Sequence, residues 1–171
     1  TDEEQTIISL WDVVDELIVK RIPITTDGPI ITTNGNSRSA IITNRRVITL
    51  DSDANEYKIH QMRGDIMCAA STVSGICGGT SKGVVFIIDQ ENDNIHEWSS
   101  VSSHAVTAIT AMEEQPYVIS GSNMGDITLW DIQKMDVVGI IHLSNATINH
   151  IHFENTFAIV TQHTTVNLLS I

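Results

Sequence analysis

Short runs of β-branched and other apolar residues recur along the chain: Thr6–Leu10, Ile30–Thr33, Ala40–Thr43, Val47–Leu50, Val84–Ile88, Tyr117–Ser120, Ile127–Trp130 and Phe157–Thr161. Gly, Asn, Asp and Ser separate them. Side chains that favour a pleated surface, divided by residues that favour tight turns, predict strands joined by short connections. Apolar residues at helical spacing are missing. The nearest approach, Val13–Val19, is short and β-branched, so the predicted class is all-β.

A longer period lies over this pattern. Apolar runs close on an acidic or equivalent residue at Asp12, Asp51, Asp89, Asp131 and Ser170, at intervals of 39, 38, 42 and 39 residues. A unit of about 40 residues holding several short strands predicts propeller blades.

The segment Val118-Ile119-Ser120-Gly121-Ser122-Asn123-Met124-Gly125-Asp126-Ile127-Thr128-Leu129-Trp130-Asp131 resembles the second half of a WD repeat. Ser103-His104 stands upstream, where that family often has Gly-His. Thr6–Asp12, with Trp11 and Asp12, resembles the same closing strand. Gly75–Asp89 keeps the spacing and the turn glycine Gly83, with Ile88 in place of Trp. Residues 38–51 and 156–170 keep the apolar pattern alone. In the family, His, Ser or Thr, Asp and Trp form a hydrogen-bonded structural set. Here the resemblance supplies His104, Ser120 or Ser122, and Trp130, while Met124 occupies the turn position of the Asp. The set is therefore expected to be incomplete.

The resemblance implies four antiparallel strands per blade, a to d from the inside out, and about four and a half blades. Blade one contributes strands c and d (6–24). Blade two covers 28–62, blade three 64–101 and blade four 104–144, and blade five supplies a, b and c (146–171). Typical members have seven blades, and an N-terminal strand commonly fills the last d position. The chain is thus expected to be part of a seven-blade ring, short by on the order of 110 residues at about 40 per blade. A four-blade ring closed by 17–24 beside 165–171, or blades supplied by a partner, are the alternatives.

Composition narrows the partners. The chain has 171 residues, with 9 Lys and Arg against 21 Asp and Glu, a net charge of −12. Nucleic acid as the main partner is disfavoured, because a binding surface must neutralise phosphates. The two cysteines, Cys68 and Cys77, fall in strand-like runs and read as buried thiols of a reducing compartment, so an intracellular, cytoplasmic or nuclear setting is expected. No apolar run reaches the roughly 18 residues of a membrane helix.

Motifs for catalysis are lacking. There is no phosphate-binding glycine loop and no Gly-x-Ser-x-Gly. His150 and His152 would share a strand face, but no third metal ligand stands at a convincing spacing. Trp98 reads as packing. The expectation is a chain that is not an enzyme and uses no metal, cofactor or small-molecule substrate. The ligase-receptor signature Trp-Asp-x-Arg fails at Trp130-Asp131-Ile132-Gln133, with Lys134 one place late.

Strand order assigns turns to faces. The d–a and b–c turns share the top, and the a–b and c–d turns share the bottom. By this rule 14 of the 21 acids fall at the bottom, among them Asp12, Asp15, Glu16, Asp51, Asp53, Glu56, Asp89, Asp131 and Asp136. Arg45, Arg46, Arg63 and Lys82 fall at the top of blades two and three. With Met124 they are the candidate partner-binding residues, although Asp2, Glu3, Glu4, Asp27, Asp65 and Asp126 dilute that patch. Trp11, Asp12, His104, Ser120, Trp130 and Asp131 are the candidate structural residues. The expected function is a protein-interaction scaffold in a multiprotein assembly of nuclear-pore, coat, RNA-processing or signalling type. The alternative is a peptide- or substrate-recognition module such as a ubiquitin-ligase receptor.

Overall fold

The structure, a computed structural model, describes residues 4–12, 14–26, 31–34, 39–50, 57–89, 91–99, 103–112, 114–154 and 156–170. Asp51, Asp53, Glu56, Asp2, Glu3 and Asp27 of the charge assignment lie outside them, and so do the side chains of Glu4, Trp11 and Asp12.

Seventeen strands form five antiparallel sheets among the described residues. Sheet one pairs β1 (Glu4–Asp12) with β2 (Leu17–Thr26). Sheet two runs in order through β3 (Ile31–Asn34), β4 (Ser39–Ile42), β5 (Arg46–Leu50) and β6 (Tyr57–Gln61). Sheet three holds β7 (Ile66–Thr72), β8 (Gly75–Thr80), β9 (Val84–Asp89) and β10 (Ile95–Ser99). Sheet four holds β11 (Val106–Ala111), β12 (Tyr117–Ser122), β13 (Asp126–Asp131) and β14 (Asp136–His142). Sheet five has β15 (His150–Glu154), β16 (Phe157–Gln162) and β17 (Thr165–Ser170). Strands 17–26 and 165–170 belong to different sheets, so the four-blade closure is not the arrangement adopted.

Period-two alternation explains why these strands read as unbroken apolar runs. Successive side chains point to opposite faces, and the middle sheets are covered on both. In sheet three, Ile76, Phe86 and Ile88 pack toward sheet two against Ile42, Val47 and Met62. Their neighbours Cys77, Val85 and Ile87 pack the other way, against Val118, Trp130 and Ile132 of sheet four. Sheet four repeats the device, sending Ile119 and Ile127 toward Ile151, Ala158 and Val160 of sheet five. Ile22 and Ile24 of sheet one meet Ile41, Ile48 and Leu50 of sheet two. Each core is therefore a seam between consecutive sheets.

Two glycines at matching positions set the spacing of those seams. A Cβ on Gly79 would lie 2.2 Å from Val106 Cγ1, and one on Gly121 would lie 2.5 Å from Ile148 Cγ2. In each case a branched side chain fills the hydrogen's place, from β11 of the next sheet at Gly79 and from the link ahead of β15 at Gly121. Ile148 lies in the connection ahead of β15, yet it is fully buried.

Candidate interaction surface

Antiparallel order places the connections β4–β5, β8–β9, β12–β13 and β16–β17 at one end of the strands, with the links between sheets two and three, three and four, and four and five. At this end backbone hydrogen bonds tie the turns into a ledge. The Met62 amide donates to Arg45 O (2.7 Å), the Ile66 amide to Asn44 O (2.6 Å) and the Ser81 amide to Asp65 O (2.7 Å). Further along, the Asn123 amide donates to Ala105 O, Leu143 to Gly125 O, Ile148 to Ser122 O and Asn149 to Thr161 O. Each of these inter-sheet links is thus bonded to at least one adjoining turn.

The turns are built by local chemistry. In β8–β9 the Thr80 hydroxyl accepts the amides of Lys82 and Val84. In β12–β13 the Ser122 hydroxyl accepts those of Met124 and Asp126. The third turn residue is left-handed in both, Gly83 at φ 73° and Gly125 at φ 83°, a conformation glycine adopts without a Cβ clash.

Arg45, Arg63 and Lys82 are exposed on this ledge, and exposed Arg46 opens β5 beside it. Arg45, Arg63 and Lys82 lie in the turns and link at the junction of sheets two and three, whereas Arg46 shares the β5 face of Ile48 and Leu50, which is turned toward sheet one. Asp65, an acid from the same ledge, accepts from Arg45 Nε at 2.7 Å. Arg46, Arg63 and Lys82 have no acidic partner among the described residues. A Cβ on Gly64 would lie 2.9 Å from Lys82 Cγ, so the lysine stem crosses bare backbone. Met124 is exposed in the β12–β13 turn, one sheet further on.

Asp126 supplies the carboxylate that Met124 lacks, although Trp130 stays outside the bonded group. It opens β13, two places after Met124, and its Oδ2 lies 3.0 Å from His104 Nδ1 and 3.3 Å from Ser122 Oγ. The three-residue turn, rather than the position expected from sequence, sets the carboxylate opposite Ser122. Its Oδ1 meets His142 Nδ1 at 2.8 Å. Nothing in the sequence links His142 to Asp126. It is the cross-strand neighbour of Asp126, a relation that needs the β13–β14 register. Trp130 bonds elsewhere, Nε1 donating to Ser120 Oγ at 2.7 Å.

The opposite end carries the acids. Asp15 and Glu16 occupy the β1–β2 turn, and Asp89, Glu91 and Asp93 the β9–β10 turn. Asp131 and Asp136 bound the β13–β14 turn. The strand-ending Asp has a local task. Asp131 Oδ1 accepts the Gln133 and Lys134 amides, both at 3.0 Å, and Asp89 Oδ1 accepts the Glu91 amide at 2.7 Å. Such side-chain acceptance is how Asp closes a turn. Lys134 Nζ lies 3.0 Å from Asp131 Oδ2. The backbone N–H of Lys134 first, then its ammonium, hold the Asp131 carboxyl below its ordinary range. The backbone of Trp11 and Asp12 pairs with Ile18 and Leu17, after a register shift at Leu10 that recurs at Leu129 before Trp130.

Cys68 and Cys77 are thiols, and burial pushes both up to about 12. His150 and His152 are both exposed on β15, and among the described residues no three His, Cys, Asp or Glu side chains gather as metal ligands.

Five stacked antiparallel sheets with a bonded ledge define an all-β arc of a propeller, about four to five blades long. Solved structures agree. The β-propeller domain of Myceliophteria thermophila Cps50 (Swd1) superposes with a TM-score of 0.76 at 10% identity, over 96% of this chain and 60% of that one. The structure of U3-55K gives 0.70 at 10% identity, over 80% and 46%. The crystal structure of the computationally designed Ika4 protein gives 0.72 at 16% identity, over 85% and 92%. The aligned region thus spans under two thirds of the Swd1 and U3-55K chains. No family model matches the sequence, and no curated protein does.

Proposed function

We propose that the chain is a non-catalytic interaction scaffold within a multiprotein assembly. The observation that carries this reading is the bonded ledge. Its turns are bonded to adjoining inter-sheet links by backbone hydrogen bonds at 2.6–3.0 Å, so their side chains are displayed at fixed spacing. A pre-ordered display loses less conformational entropy on binding. Nuclear-pore, coat, RNA-processing and signalling assemblies, in the cytoplasm or nucleus, are the settings proposed for it. Affinity purification of the endogenous full-length protein, with quantitative identification of what accompanies it, tests the reading. Near-stoichiometric recovery of defined subunits is expected. Recovery of the protein alone would overturn it.

A further inference from the structure

The ledge and the far end of the strands differ sharply in charge. On the ledge, both described acids are engaged, Asp65 by Arg45 and Asp126 by His104 and His142. Arg46, Arg63 and Lys82 remain without acidic partners among the described residues. At the far end the sign is reversed: Asp15, Glu16, Asp89, Glu91, Asp93, Asp131 and Asp136 stand among the described residues with Lys134, paired to Asp131, and Lys58, whose ammonium donates to Asp93 O.

Distance decides whether the net charge of −12 cancels the basic ledge. A strand of six residues, such as β9, spans about 20 Å at 3.3 Å per residue. The screening length at physiological salt is about 8 Å. An approaching ligand therefore feels the ledge and little of the acids beyond it.

We propose that this ledge docks an acidic peptide segment, an Asp- and Glu-rich stretch of a partner protein, running across the end of sheet two so that Arg46, on its sheet-one side, and Arg63 and Lys82, at its junction with sheet three, receive successive carboxylates. The proposal deepens the scaffold reading and rests on it for the existence of a partner. Single-stranded RNA fits less well, because a site that makes about six to ten phosphate contacts draws on a similar number of cations and this ledge offers three without acidic partners among the described residues. Placement is aided by the fold. The Met62, Ile66 and Ser81 amides fix the three turns against one another, and the close approach of Gly64 to Lys82 Cγ steers the lysine stem.

The geometry predicts an unusual salt dependence. At about 0.01 M salt the screening length grows to about 30 Å, and the far acids then repel the ligand. At high salt the ledge itself is screened. Affinity for an acidic peptide should therefore peak at intermediate ionic strength.

The test is fluorescence anisotropy with the full chain and a fluorescein-labelled ten-residue peptide of alternating Glu and Ser. The combined Arg46→Glu, Arg63→Glu and Lys82→Glu variant should bind about tenfold more weakly, since each exposed charge contributes modestly. Arg63→Gln with Lys82→Gln, a gentler change should the triple variant fold poorly, should cost about threefold. Arg21→Glu, at an exposed position of β2, should change nothing. Triple-variant affinity within about twofold of wild type, equal binding of a Gln/Ser peptide, tighter binding of a ten-nucleotide oligouridylate, or a monotonic salt response would each overturn the assignment. Purification of the full-length triple variant separates the two readings. If it retains every subunit that the wild type recovers, the ledge assignment fails and the scaffold stands. If the wild type recovers none, the scaffold fails, and the peptide titration still decides whether the ledge receives carboxylates.

Discussion

The rings of Trp98 and Trp130 stand with centroids 6.5 Å apart and planes at 45°, across the seam between sheets three and four. Trp130 is 3% exposed and Trp98 only partly covered. The inner indole also spends its one donor on Ser120, so the seam combines apolar burial, a tilted aromatic pair and a satisfied buried N–H. Trp130→Ala should destabilise by about 3–5 kcal/mol. Trp130→Phe should lose less, because a ring still faces Trp98. Urea unfolding of the two variants checks the order, and equal losses would show that the aromatic contact contributes nothing.

The glycines offer a sharper contrast. Gly121→Ala drives a Cβ into Ile148, and Gly79→Ala drives one into Val106. Overpacking of this kind should cost about 1–3 kcal/mol. Gly139, on β14, has nothing within 4 Å of an added Cβ, so Gly139→Ala should gain about 0.5–1 kcal/mol from reduced chain entropy. Thermal melts of the three variants suffice, and a destabilised Gly139→Ala would contradict the open geometry.

Acid should weaken the β13–β14 turn through Asp131. Its carboxyl is held below the ordinary 3.8, so ionisation favours the folded state. That contribution is fully present above the unfolded value and disappears as pH falls through the lower, folded one. Asp131→Asn keeps an acceptor for the turn amides and removes the titration. The stability gap between wild type and variant should be constant from neutral pH to about pH 5 and narrow below about pH 4. A gap that stays constant to lower pH removes Asp131 from the acid response.

Cys68 and Cys77 should resist alkylation in the native protein. The thiolate is the reactive species, and both groups are pushed to about 12 by burial. Iodoacetamide at pH 8 should modify neither residue in the folded chain and both in urea. Native labelling at the unfolded rate, seen by mass spectrometry, would show that sheet three opens readily.

Much of this architecture is legible in the sequence where the cause is local. The closing residues Asp89 and Asp131 recur because each accepts amides of the turn that follows, and Gly83 and Gly125 mark turns because their φ is positive. What escapes a sequence reading depends on register or on neighbouring sheets. Asp126 meets His142 only through the pairing of β13 with β14. Ile148 is apolar enough to pass for a strand residue, but its burial comes from the space left by Gly121. Asp65 is visible as an acid among the ledge cations, yet its ion pair with Arg45 requires two turns from different sheets to meet.

The bonded ledge also changes how the surface should behave in time. Connecting loops are ordinarily the first part of a protein to open and exchange their amide hydrogens. Here the amides of Met62, Ile66, Ser81, Asn123, Leu143 and Ile148 point into carbonyls of adjoining turns and links. None can exchange unless the link parts from its neighbour. These loop amides should therefore keep their protons about as long as those of the strands they join, and a binding face that looks like a string of surface turns would move, on the timescale of opening, as part of the sheets behind it.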